Sequence, residues 1–81
     1  MELKRKIKSG LMRTLIINGK EISYSGDYIT YGEVCDLIGI NLSQNPSITY
    51  KCKRGEGILL HDEEIYAAEG IIINCMITGN S

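Results

Sequence analysis

The chain has 81 residues, of which 43% are hydrophobic and 23% charged, and its formal net charge is −1. That length suits one domain with a thin core, and that balance excludes a disordered chain. No apolar run is long enough to cross a membrane and no signal-peptide stretch opens the chain, so a cytoplasmic protein without membrane attachment is expected.

The charge is unevenly spread. Residues 1–13 carry Lys4, Arg5, Lys6, Lys8 and Arg13 against Glu2, a net of +4, which leaves −5 on the rest. Such an arm reads as a solvated N-terminal tail, with a nucleic acid or an anionic surface as the weaker alternative. Ser9-Gly10 ends it, and a folded domain is expected over 14–78, followed by a short tail at 79–81.

Leu15-Ile16-Ile17 is a β-branched run, and Asn18-Gly19 after it is a strong signal for a two-residue hairpin. Glu21 to Ser25 alternates polar and apolar, which predicts a second strand with Ile22 and Tyr24 facing inward. Gly26-Asp27 marks a turn. Thr30 and Glu33 have the spacing of a capping box, Val34, Leu37 and Ile38 form one helical stripe, and Gly39 is placed to end the helix. A helix of about two turns is not stable alone, so it must pack across a sheet.

Asn41 to Pro46 reads as a polar loop. Ile48, Tyr50 and Cys52 alternate with Thr49, Lys51 and Lys53, the pattern of a half-exposed strand. Arg54-Gly55-Glu56-Gly57 reads as a turn, Ile58 to Leu60 as a brief strand, and 65–68 as a connector that tucks one or two side chains inward. Glu69-Gly70 leads into 71–78, the longest apolar run, whose β-branching predicts a buried central strand. Ile71, Ile73, Cys75 and Ile77 would face the core, leaving Ile72, Asn74, Met76 and Thr78 outward. With the outward Ile16 of the first strand, Ile72 and Met76 make a candidate apolar docking patch around Asn74.

The remaining chemistry-bearing residues are sparse. Cys35, Cys52 and Cys75 are odd in number and lack metal or disulfide spacing, so reduced thiols are expected. His61 stands beside Asp62, Glu63 and Glu64, but consecutive side chains diverge, and a solvated acidic loop is expected rather than a metal site. Arg54 to Gly57 lacks the Lys-Ser/Thr of a phosphate loop. No nucleophile, base and orienting group can be assembled, so neither an enzyme nor a bound cofactor is expected.

Taken in order, these elements predict an α+β fold: a mixed sheet of four or five strands packed on one short helix, with the last strand beside the first in parallel. That is the layout of the β-grasp. The run Leu15 to Lys20, Ile29-Thr30-Tyr31 with Val34 and Leu37, Ile48 to Lys51 with Arg54-Gly55, and Glu69-Gly70-Ile71 leading to Asn74 resemble small bacterial ubiquitin-like proteins, similar to the domains of bacterial multi-ubiquitin proteins. The resemblance covers residues 14–81. It implies a modifier with three partners: an activating-enzyme-like adenylating protein, a conjugating-enzyme-like protein and a deubiquitinase-like peptidase. It further implies target proteins joined through the modifier's C-terminus, in some systems for antiphage defence.

The chain departs from ubiquitin at that end. It closes on Gly79-Asn80-Ser81 without a Gly-Gly pair. Cleavage after Gly79 would expose a carboxylate that a narrow adenylating site can admit, since glycine lets backbone approach closely. The other reading of Gly79 is a simple strand end. A non-covalent adaptor using the outer face, and a sulfur carrier with a terminal thiocarboxylate, are the alternatives.

Overall fold

The computed structural model describes residues 12–77; the basic residues at 4–8 and the tail Gly79, Asn80 and Ser81 lie outside them. Among these described residues, seven strands and one α-helix follow in chain order: β1 (Arg13–Ile17), β2 (Lys20–Tyr24), β3 (Tyr28–Thr30), α1 (Tyr31–Ile38), β4 (Ser47–Cys52), β5 (Gly55–Leu59), β6 (Glu64–Tyr66) and β7 (Ile72–Met76). Five of the strands form one mixed sheet, in the order β2-β1-β7-β4-β5, and β3 pairs with β6 in a second, two-stranded sheet. The fold is therefore α+β. The apolar last strand is central, parallel to β1 and antiparallel to β4, as its composition predicts.

Local signals act where they stand. Asn18 and Gly19 both have positive φ, at 52° and 81°, the requirement of the hairpin turn between β1 and β2. The capping box closes in both directions: the Glu33 N–H donates to Thr30 Oγ1 at 3.2 Å, and the Thr30 N–H donates to Glu33 Oε1 at 2.9 Å. Gly39 ends α1 in the left-handed conformation, at φ 75°.

The core lies between α1 and one face of the five-stranded sheet. Leu15 and Ile17 from β1, Ile48 from β4, Leu59 from β5, and Ile71, Ile73 and Cys75 at β7 all point into it, and α1 supplies Tyr31, Val34 and Cys35. The helical stripe differs from the expected one. Cys35 takes the core position and Leu37 is 39% exposed, because a face centred on residues 31, 34, 35 and 38 turns position 37 toward solvent. Ile77 was expected inward but is 49% exposed, because β7 ends at Met76 and the residue after it no longer alternates with a sheet.

Four further expectations are corrected. Arg13 belongs to β1 rather than to the arm: its guanidinium pairs with Asp27 at 3.0 Å, donates to the Gly26 carbonyl at 2.8 Å and stands 5.2 Å from the centre of the Tyr66 ring. The turn after β4 is Lys53-Arg54, and β5 already begins at Gly55. Gly57 joins the ladder because Tyr50, directly opposite, lies across it; a Cβ at Gly57 would stand 2.8 Å from the Tyr50 hydroxyl. The connector over 65–68 contains β6, whose partner β3 hides in the Tyr28–Thr30 segment before the helix. The polar loop holds a short 3-10 turn over Leu42–Gln44, capped by Asn41.

One tyrosine couples this packing to pH. The Tyr24 hydroxyl donates to the Tyr28 carbonyl at 2.7 Å and to Glu33 Oε1 at 3.1 Å. Burial and then the Glu33 carboxylate push its pKa from 10.0 up to about 12. A phenol that holds its proton more tightly in the folded state contributes stability that is complete below its unfolded pKa and is lost as pH rises through the folded one. Unfolding followed by circular dichroism should therefore become easier between pH 10 and 12, and Tyr24→Phe should flatten that dependence. An identical alkaline slope in the variant would assign the effect elsewhere.

Candidate partner-binding face

The five-stranded sheet has one covered face and one open face, since α1 packs on a single side. Strand alternation decides which residues stand on the open face. From β1 and β7 it displays Ile16, Ile72, Asn74 and Met76; from β4 and β5 it displays Thr49, Lys51, Glu56 and Ile58.

Register brings the predicted residues together in part. Ile16 and Ile72 are directly paired across β1 and β7, and the same row continues through Glu21 on β2 at one side and Lys51 and Glu56 at the other. The apolar pair is thus rimmed by charge. Met76 stands four residues further along β7, about 13 Å at the usual rise, with Asn74 between. Ile72 is 42% exposed and Met76 61%, while Ile16 is half-buried. The face is therefore an apolar pair and a separate methionine bridged by an amide.

Ile58 adds to it and was not foreseen. It is 64% exposed and occupies the row of Asn74 and Thr49. Reading 54–57 as a turn concealed its phase; the alternation of Ile58 with the buried Leu59 was the available signal.

The chain leaves the sheet from this central strand. Beyond Met76, opposite Ser47 on β4, Ile77 is exposed. The predicted processing residues Gly79, Asn80 and Ser81 themselves lie outside the described segment.

No family model, curated protein or solved structure matches the chain.

The thiols occupy two environments. Cys35 on α1 and Cys75 on β7 are both buried. Burial pushes both pKa values up, that of Cys75 to about 11. Cys52, at the end of β4, is half-buried. Because the thiolate is the reactive form, iodoacetamide at pH 8 should modify one thiol of the native protein, Cys52, and the other two only after unfolding. Native modification of Cys35 or Cys75, read by mass spectrometry of peptides, would contradict this arrangement.

His61 is not part of a ligand cluster: its ring stacks on the buried Tyr31, with centroids 4.2 Å apart. Among the described residues no group of three His, Cys, Asp or Glu side chains is placed to hold a metal ion. No helix among them is long and apolar enough to cross a membrane.

Proposed function

We propose that this chain is a β-grasp domain that works as a bacterial ubiquitin-like modifier. The observation that carries the reading is the exit of the chain: β7 lies in the middle of the sheet, parallel to β1, and ends at an exposed Ile77 with Gly79 two residues beyond. Central placement anchors the strand that precedes the modifier's C-terminus. The strand order β2-β1-β7-β4-β5 with a single short helix on one face supports the β-grasp assignment.

In this reading a deubiquitinase-like peptidase hydrolyses the bond after Gly79 and releases Asn80-Ser81. An activating-enzyme-like protein then joins the new carboxylate to the α-phosphate of ATP and expels pyrophosphate. A nucleophile of the conjugating-enzyme-like protein takes the acyl group and releases AMP, and a target amine or hydroxyl then displaces that carrier. The domain supplies a handle and docking surfaces rather than catalysis. Cytoplasmic antiphage defence is the setting that the resemblance to bacterial ubiquitin-like proteins suggests.

The test is intact-mass spectrometry of the protein co-expressed with the enzymes encoded beside it. Loss of Asn80-Ser81, or adducts on other proteins that vanish in Gly79→Ala, is the expected result. An intact, adduct-free chain beside an active adenylating enzyme would overturn the reading.

The second reading is a non-covalent adaptor, favoured by the Ile16, Ile72 and Met76 surface. It predicts that Met76→Asp abolishes partner binding while deletion of Asn80-Ser81 leaves it unchanged. The modifier reading predicts that the same deletion leaves conjugation intact and removes its need for the peptidase, while deletion of residues 79–81 abolishes it.

A further inference from the structure

The helix-covered face of the sheet is only half covered. Helix α1 spans eight residues, and the β4 residues that face its side run from the fully buried Ile48 to the half-buried Tyr50 and Cys52. Beyond the reach of the helix the face opens into a groove of about 680 Å³, within the roughly 300–1,000 Å³ range of ligand sites. Tyr50, Cys52, Ile65, Ala68 and Ile71 supply its apolar lining.

The rim carries two cations and one carboxylate. Lys53 and Arg54, the two turn residues between β4 and β5, line the groove, and among the described residues neither makes an ion pair. Glu69 lines it as well, but its carboxylate accepts a hydrogen bond from the Thr14 backbone N–H at 2.9 Å and is held toward β1. An apolar floor beside two cations that have no ion-pair partner among the described residues fits an apolar group that carries negative charge next to it.

We propose that this groove binds a short peptide segment of a partner protein in which an apolar side chain is flanked by carboxylates. The groove is partly open to solvent, which suits a chain segment that enters and leaves. Tyr50 and Tyr66 both line the groove, but two cations beside one carboxylate are too few for the phosphate tracking of a nucleic-acid groove. Alternation puts the groove on the sheet face opposite Ile72, Asn74 and Met76, so both faces can be engaged at once. This binding stands whether or not the chain is conjugated.

The test starts from a displayed library of random dodecapeptides selected on the full chain, and the best peptide is then synthesised. Enriched sequences should place Leu, Ile or Phe beside Asp or Glu. The peptide should shift the amide resonances of residues 52–54 and 65–71 and slow alkylation of Cys52. Lys53→Glu combined with Arg54→Glu alters only exposed turn side chains and should weaken binding about tenfold, as expected for two rim charges. A peptide with Lys in place of its acids should regain affinity for that variant. Failure to enrich acidic-apolar sequences, shifts confined to Ile16, Ile72 and Met76, or indifference to the double charge reversal would each overturn the proposal. Decanoate is the control ligand: if it shifts the groove amides and no selected peptide does, the site holds a small amphipathic acid and the peptide proposal falls.

Discussion

Replacing Ile73 by alanine should cost about 2–5 kcal/mol of folding stability, the range for deleting a large aliphatic side chain from a core that cannot collapse around the cavity. Ile73 is fully buried on β7, paired with Ile17 on one side and Tyr50 on the other. It therefore touches the central seam where three strands meet the helix layer. A domain of this length holds only about 4–12 kcal/mol in total, so the variant should be partly unfolded at 37 °C. The neighbouring Ile72 provides the control. It stands on the opposite face and is substantially exposed, so Ile72→Ala should change stability by no more than about 0.5 kcal/mol while weakening any partner that docks on the outer face. Urea midpoints for the two variants measure the difference. Equal losses would mean that the β7 alternation is wrong by one residue.

The second large effect belongs to Asn18. The β1–β7 pairing ends at Ile17 opposite Ile73, and the Asn18 side chain extends it by one step. Its Oδ1 accepts from the Cys75 N–H at 2.8 Å, and its Nδ2 donates to the Cys75 carbonyl at 3.1 Å, so the amide stands in for a further peptide unit. The same residue holds φ at 52° in the hairpin turn. Asn18→Gly keeps the turn conformation and loses the clamp, which should cost about 1–3 kcal/mol for two partly buried backbone groups left without partners. Asn18→Ala loses the clamp and adds about 1–2 kcal/mol for a Cβ residue in the left-handed region. The order wild type, Gly, Ala in denaturant midpoint is the expected result. If Gly and wild type coincide, the clamp contributes nothing and only the turn geometry matters.

These two predictions separate what could be read in the chain from what could not. The Asn-Gly turn was evident from residue type, because few residues tolerate positive φ. The clamp on Cys75 was not, since nothing in the sequence marks which residue 57 positions away will face an exposed amide. The same division holds for Arg13. Its charge grouped it with Lys4 to Lys8, yet Asp27, Gly26 and Tyr66 hold it in the fold. The short strands β3 and β6 were missed because three residues carry no period, and their pairing is visible only once the Tyr28 and Tyr66 rings meet at 5.8 Å.

The outer face was legible in part. Two-residue alternation identified Ile72, Asn74 and Met76 as outward, because a strand buried on one side must turn every second residue away from it. Ile58 escaped, since its phase depends on where β5 begins, and β5 begins at Gly55, opposite Cys52, inside the segment read as a turn.

Residue chemistry was enough to specify the hairpin, both helix caps, the alternation of β4 and β7 and the central position of the last strand, because each follows from backbone preferences or burial patterns within a few neighbours. The two-stranded second sheet, the turning of Cys35 inward and Leu37 outward, and the groove left open beyond a two-turn helix were settled only in three dimensions. They depend on how far one element reaches across another, and that distance is written in no local pattern.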